Sequence, residues 1–170
     1  MINKILFDIA ELKRQMANLI TFGKVVAVDL EKATCRVRIG EILTAPIPWL
    51  TQRATKDESV WWSPKAGEQV LVLSPVGDYT QAVAIPAIYQ NSAAPSSNNP
   101  DSCKIQMGSS QFELLKSGQI KISAPSQVLI DTPLVKVTGD VVAGEISLRQ
   151  HPHSGVRRGP SLTDPPVGGA

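Results

Sequence analysis

The stretch PKAGEQVLVLSPVGD, residues 64–78, decides the fold class of this 170-residue chain. Its centre, residues 68–74, contains the apolar run VLVL at 70–73, with Pro64 and Gly67 before it and Pro75 and Gly77 after it. A short apolar run between such turn residues is typical of a β-strand. The stretch therefore predicts a mainly β protein.

The segments on either side of this run also have the period of strands. Residues 24–28 and 34–39 predict two strands joined by a turn at 29–33, and Cys35, Val37 and Ile39 share one face of the second. Further strands are expected at 45–50, where two prolines indicate a sheet edge, at 60–62 and at 81–89. Five or six short strands in about 70 residues favour a small barrel of the OB type over residues 23–90.

The N-terminal region, residues 1–22, has the period of a helix instead. Apolar side chains recur at spacings of 3, 4, 3, 4 and 3, at Ile2, Ile5, Ile9, Leu12, Met16 and Leu19. This heptad seam predicts a helix over residues 2–20 that ends before Gly23, and isoleucine at successive core positions favours bundles of three or more helices. The alternative is an amphipathic helix that lies on its own domain.

Residues 91–101, NSAAPSSNNPD, contain alanine as their one apolar residue type and predict a linker. Short alternating segments follow over residues 102–153, separated by glycine and proline, with apolar pairs such as Ile120 and Ile122 or Val128 and Ile130. Segments so short and so poor in aromatic residues cannot close a core of their own. We therefore expect strand pairing between copies of the chain, in a β-helix or β-prism with its core on a symmetry axis.

The chain has two histidines, His151 and His153, separated by Pro152. The proline favours an extended triplet in which both imidazoles point to the same side. Two imidazoles do not complete the coordination of a metal, but three copies supply six, which is a closed octahedral set. Such a site would be structural; a pair of solvated loop histidines is the alternative. The glycine- and proline-rich tail at 154–170 is either disordered or wrapped on a surface that has already formed.

Composition excludes several classes of protein. A net charge of +2 argues against a polybasic nucleic-acid-binding protein. No apolar stretch approaches the roughly 20 residues of a membrane-spanning helix, and charges interrupt the N-terminal pattern that a signal peptide would need, so the chain is expected to stay in the cytoplasm where it is made. Cys35 and Cys103 are too far apart for a CxxC motif, and we expect two reduced, partly buried thiols.

Catalytic patterns are missing as well. The sequence has no P-loop or GxGxxG motif, and no serine or cysteine nucleophile can be paired with a histidine outside the 151–153 triplet. The chain is therefore expected not to be an enzyme. A metal hydrolase using His153 is a rival hypothesis that requires an open coordination position.

A single-stranded nucleic-acid-binding protein is the other functional alternative, because OB barrels bind such ligands through aromatic and basic side chains. The candidates are Arg36, Arg38, Trp49, Arg53, Trp61 and Trp62. Ten basic and nine acidic residues in the first 90 leave no strongly basic field, which favours core or interface roles for the tryptophans.

In the order of its parts, the chain resembles the baseplate assembly protein V family, the central spike proteins of contractile-tailed phages and R-type bacteriocins. The resemblance covers essentially the whole length. It rests on PKAGEQVLVLSPVGD at 64–78, VTGDVVAGEISLRQHPHSGV at 137–156, Gly159 and TDPP at 163–166. The middle motif is the specific one.

The resemblance implies a homotrimer with an N-terminal helix, an OB-like barrel and an intertwined β-helical spike. The barrel would attach to a baseplate hub protein, and His151 and His153 of the three chains would coordinate one iron ion at the apex. It further implies assembly in the host cytoplasm, a place in the virion tail baseplate, and a tip that pierces the host outer membrane when the sheath contracts. Neither nucleic acid nor a small-molecule substrate is expected as a partner.

Overall fold

The computed structural model describes residues 2–86, 88–152, 154, 155 and 159. One helix and eleven strands occur in these residues: α1 Ile2–Leu19, β1 Ile20–Asp29, β2 Thr34–Ile39, β3 Ile42–Leu43, β4 Ile47–Pro48, β5 Gln69–Leu73, β6 Val83–Ile85, β7 Ser102–Met107, β8 Ser110–Leu115, β9 Ile120–Ser123, β10 Val142–Ala143 and β11 Ile146–Ser147. The expected mainly β architecture with an N-terminal helix is confirmed. The chain divides into two compact units, residues 1–122 and 123–170.

The first unit contains a closed barrel whose strands pair antiparallel except at the closing bridge, which is parallel. Its strands follow the order β3-β2-β1-β5-β6, and β4 pairs with the free part of β2. Trp49, directly after β4, forms a bridge to Ala84 in β6, and the Leu50 amide donates to the Ala84 carbonyl at 2.8 Å. These bonds join the two ends of the sheet, which closes the barrel and fits the predicted OB type.

The barrel core consists of small and β-branched side chains. Cys35 and Val37 point inward from β2 as the alternation predicts, and Val70 and Val72 point inward from β5. Buried Thr44 accepts a hydrogen bond from the Val37 amide at 3.0 Å, so its hydroxyl is satisfied inside the core. Among the described residues, the core cluster consists of Val25, Cys35, Val37, Ile47, Trp49, Val70, Val72, Ala82 and Ala84.

Three predicted barrel strands are absent or shortened. Of the described residues within 81–89 only Val83–Ile85 forms a strand, because Tyr79–Gln81 is a 3-10 turn. Residues 60–62 are not a strand: the Val60 amide donates to the Arg53 carbonyl, and its carbonyl accepts from the Thr51 hydroxyl, within one loop. Residues 45–50 contain only the two-residue β4, because Pro46 and Pro48 have no amide hydrogen to donate to a sheet. The turn at 29–33 is present, held by the Asp29 carboxylate, which accepts from the Glu31 and Lys32 amides.

The helix ends at Leu19 rather than just before Gly23, and β1 begins at the next residue. Ile20, Thr21 and Phe22 pair with β5, and β-branched and aromatic residues of this kind favour strands. Gly23 is instead required inside the barrel, because a Cβ atom there would lie 2.3 Å from Val37 Cγ1. The helix therefore continues into the barrel without a loop.

A polar flank of α1 contacts the barrel at the 3-10 turn Pro75–Gly77. A Cβ atom at Gly77 would lie 2.8 Å from both the Cα and the carbonyl oxygen of Gln15, so helix and turn are in backbone contact. On the same flank Glu11 accepts hydrogen bonds from Arg14 and Gln15, and these bonds lower the Glu11 pKa to about 2. No residue of α1 is buried in the described chain, so the seam does not lie on its own domain.

We expect Gly77→Ala to lower the free energy of unfolding of the barrel by about 3 kcal/mol, because it combines a left-handed backbone with a clash against the helix. Gly40→Ala is the matched control: Gly40 also has a positive φ, but nothing lies within 4 Å of its Cβ position. The control should cost about 1 kcal/mol. Urea denaturation followed by tryptophan fluorescence measures both, and equal losses would contradict the helix contact.

The remaining strands form two small sheets. Strands β7, β8 and β9 form an antiparallel meander in register from Ser102 with Leu115 to Met107 with Ser110. Strands β10 and β11 form a hairpin in the second unit. Residues 124–141, all of which the structure describes, contain no strand, so the segments predicted around Val128 to Ile130 and Val135 to Val137 do not pair within one chain. Among the described residues, no helix is long and apolar enough to cross a membrane.

Candidate functional site

The hairpin β10–β11 places the first of the two predicted metal ligands. Ala143 pairs with Ile146, and Gly144 takes the positive φ of 64° that its tight turn requires. The Leu148 amide donates to the Val141 carbonyl at 2.8 Å and extends the ladder by one bond. His151 follows three residues later, so its position depends on this hairpin.

Asp140 fixes the hairpin to the turn that follows it. Its Oδ1 accepts from the Val141 amide at 2.8 Å and from the Arg149 amide at 3.1 Å, and its Oδ2 accepts from the Ser147 hydroxyl at 2.5 Å. These bonds, the Ser147 one first, hold the pKa of Asp140 below its ordinary value. The Ser147 hydroxyl oxygen in turn accepts from the Gln150 amide. Sequence analysis missed Asp140, although VTGDVVAGEISLRQ contains it.

His151 is oriented by the same turn. Its backbone amide and its ring Nδ1 both contact the Ser147 carbonyl oxygen, at 3.1 and 2.6 Å. A carbonyl oxygen can only accept, so this contact requires a proton on Nδ1, and in the neutral imidazole the lone pair is then on Nε2. This is the arrangement of a metal-binding histidine, whose second ring nitrogen donates to a carbonyl or carboxylate.

The second predicted ligand, His153, lies outside the described residues, as do residues 156–158 and 160–170. No group of three or more histidine, cysteine, aspartate or glutamate side chains within the described residues could hold a metal. The carboxylate of Asp140, which the same turn holds, already accepts three hydrogen bonds. The described residues of one chain could therefore bind a metal ion only if ligands from other chains complete its coordination.

We expect Asp140→Asn to weaken metal binding about tenfold, because an amide cannot accept all three hydrogen bonds and the His151 ring loses its orientation. Asp131→Asn is the control, since that exposed aspartate lies outside the hairpin. Metal titration gives the affinity, and the His151 ring signals in NMR spectra report ring order without metal. Unchanged ring signals in Asp140→Asn would contradict this role.

The segment between the two sheets exposes apolar side chains. We give the name spike stripe to the alternating residues Val128, Ile130, Val135, Val137 and Val141, all exposed in the single chain; Leu129 and Leu134 of the same segment are exposed as well. Bends at 125–126, 132–133 and 138–139 separate pieces of four or five residues, and no backbone–backbone hydrogen bond between described residues involves 124–139. Because residues 125–139 are exposed, water can bond their amides and carbonyls in the single chain, and the segment is available to pair with a strand of another chain.

The barrel exposes a second apolar surface that sequence analysis missed. On the outer face of β1, β5 and β6, cross-strand pairing aligns Ile20, Leu73 and Val83 in one row and Phe22, Leu71 and Ile85 in the next. Ile20 and Phe22 are each at least 60% exposed. The signal was available in QVLVL, since a strand without polar alternation is one covered on both faces. We call these six residues the outer apolar face, and such a patch marks an interaction site.

The six nucleic-acid candidates do not form one surface. Trp49 belongs to the core and packs edge-to-face against exposed Trp61, with ring centroids 5.6 Å apart. Arg53 pairs with Glu58, and the Arg36 guanidinium donates to the Thr44 carbonyl. Trp62 lines a separate hollow of about 410 Å³ with Leu50, Val60 and Pro64. Arg38, on the exposed face of β2, adjoins none of these tryptophans in the sheet pairing.

The two thiols differ in their surroundings. Burial in the barrel raises the pKa of the Cys35 thiol, so it is protonated and unreactive at neutral pH. Cys103 is exposed on β7 rather than partly buried as expected for both. Neither is paired with the other.

Comparisons with known proteins match both ends of the chain. Residues 21–89 match the family described as the Type VI secretion system/phage-baseplate injector OB domain, and residues 146–167 match the GpV Apex motif. The chain is also similar to the spike protein of Escherichia phage P2, with 29% identity over 170 aligned positions that cover 85% of this chain and 80% of the relative. The first match coincides with the closed barrel, and the second contains both histidines.

Proposed function

We propose a function for this chain from one premise: it carries the injector OB domain and the apex motif of the phage baseplate spike proteins, as its resemblance to that family predicted. The chain is a structural component of a phage tail baseplate or a related particle. It acts as the central spike, which sheath contraction drives through the host outer membrane. It performs this role mechanically and hydrolyses nothing.

The spike is a homotrimer. The observation that carries this proposal is the spike stripe, which is exposed in one chain and lies on a segment that makes no backbone–backbone hydrogen bond between described residues. Three copies wound around an axis bury the stripe and pair the backbone between chains, which also removes free strand edges. The β-helix predicted for residues 102–153 then involves interchain pairing at 124–141, whereas β7, β8 and β9 already pair within one chain, contrary to the prediction that this whole region pairs only between copies.

The apex holds one iron ion with six imidazole ligands, from His151 and His153 of each chain. Support comes from the Nδ1 hydrogen bond of His151, which leaves Nε2 as the ligand atom, and from the apex motif over both histidines. Iron is implied by the resemblance; six nitrogen ligands alone suit several divalent metals. The ion supplies a crosslink between chain ends that would otherwise fray under axial load.

The barrel attaches the spike to the baseplate hub. The outer apolar face is the surface that fits this contact, because it presents two rows of apolar side chains that the barrel itself does not cover. The chain is assembled in the host cytoplasm and ends in the virion, with its apex toward the host membrane. Neither nucleic acid nor a small-molecule substrate takes part.

One experiment tests trimer and metal together. Solution mass by sedimentation and metal content by elemental analysis are measured on the same purified full-length sample. We expect the mass of three chains of 18.3 kDa and about one iron ion per three chains. A monomer without metal would overturn the proposal, whereas a trimer with another metal would correct only the identity of the ion.

A further inference from the structure

Among the residues that the structure describes, nothing covers the seam of α1. Its six residues Ile2, Ile5, Ile9, Leu12, Met16 and Leu19 are all exposed. The barrel contacts a different flank, the one with Gln15 and Asn18. At about 100° per residue, the two flanks are about 120° apart around the helix, so the barrel leaves the seam accessible.

The spacing of the seam identifies what kind of surface covers it. The repeat averages 3.5 residues, with Ile2, Ile9 and Met16 at heptad position a and Ile5, Leu12 and Leu19 at position d. This period keeps a seam facing another helix of the same kind, whereas a helix packed on a sheet has a broader stripe of period 3.6. Isoleucine at both a and d in the first heptad favours three or four helices over two.

Charges beside the seam match a parallel arrangement of identical helices. Asp8 occupies position g and Lys13 occupies position e of the next heptad, which are the positions that meet between neighbouring helices of a parallel bundle. Both side chains are exposed, and neither forms an ion pair within the part of the chain that the structure describes. In a bundle of three copies, each Asp8 meets a Lys13 of its neighbour.

We propose that the α1 helices of three copies form a parallel three-stranded coiled coil through this seam. The inference rests on the proposed trimer and adds a second contact between its chains, separate from the spike. With fewer than three heptads per chain the bundle is marginal alone, so the trimer formed elsewhere in the chain raises the local concentration of the helices. The occupant of the seam is therefore the same chain and not the hub protein.

Disulfide crosslinking of the full-length chain tests the proposal. The background is Cys103→Ser, and Cys35 stays because it is buried. Leu12→Cys places a thiol in the seam, while Ala10→Cys, two residues away, places one on the outer side of the bundle. Under mild oxidation we expect Leu12→Cys to give disulfide-linked dimers on a denaturing gel at least about tenfold faster than Ala10→Cys.

A charge cycle tests register and direction. Asp8→Lys in the Leu12→Cys background brings lysine against lysine and should slow crosslinking about fivefold at low salt. Adding Lys13→Asp should restore the original rate, because the pairs are opposite again. No restoration would overturn the parallel arrangement.

The outcomes distinguish a failure of the coiled coil from a failure of the proposed spike trimer. If the sample is a trimer by mass and Leu12→Cys does not crosslink faster than Ala10→Cys, the coiled coil is wrong and the spike trimer stands, with the seam left to another protein. If the sample is a monomer by mass, the proposed function itself fails.

Discussion

A full-length chain carrying Ile130→Asp is expected to sediment as a monomer at micromolar concentration, whereas Leu129→Asp is expected to remain a trimer. Ile130 belongs to the spike stripe. Leu129 directly precedes it and has 79% of its surface exposed. In an extended chain the two side chains point to opposite sides, so the substitution places a carboxylate on the axis in one variant and in solvent in the other. Both variants replace a branched aliphatic side chain by aspartate, at adjacent positions.

The size of the effect follows from symmetry. Each trimer with Ile130→Asp would bury three carboxylates close together, and an unpaired buried charge costs several kcal/mol. Proton uptake would reduce this cost without restoring the apolar contact. Sedimentation at two concentrations gives the association state, and tryptophan fluorescence checks that the barrel is still folded. A stable trimer with Ile130→Asp would mean that the stripe does not face the axis.

The second large effect is expected at the apex. His151→Ala should reduce bound metal from about one ion per three chains to less than about a tenth of that, because it removes three of six ligands. Gln150→Ala is the matched control: it changes the preceding exposed residue and leaves both histidines in place. Elemental analysis after dialysis measures the metal content of both variants.

His151→Ala also tests whether the trimer assembles without the bound metal. Because the spike stripe and the interchain backbone pairing are unaffected, His151→Ala should keep the mass of a trimer and lose order only near the apex. Proteolysis is the readout, with cleavage expected to appear first beyond Asp140. Metal content equal to that of the Gln150→Ala control would rule out His151 as a ligand.

The barrel was predictable because local pattern and tertiary environment agree there. Thr34–Ile39 alternates in sequence and is buried on the predicted face, and β5 contains the apolar run at 70–73. The end of the helix was not predictable from its own seam, since Ile20 and Phe22 continue an apolar pattern that fits helix and strand alike. Strand pairing with β5 decides between them.

At the apex, sequence identified the histidines but not what positions them. Asp140 lies eleven residues before His151, and only the folded hairpin brings its carboxylate to Ser147 and thus to the His151 turn. Residues 124–141 show a different limit. Their alternation predicts strands, yet a strand forms only by pairing with a second strand, and the described residues supply none for this segment.

The direct passage from Leu19 in α1 to Ile20 in β1 has a mechanical consequence. A loop between the two would act as a swivel, so that a helix held at one end could turn without turning the barrel. Here the Ser74 amide is bonded to the Leu19 carbonyl at 2.8 Å, and the backbone of Gln15 rests against Gly77. Torque applied to the helix is therefore passed to the barrel without slack.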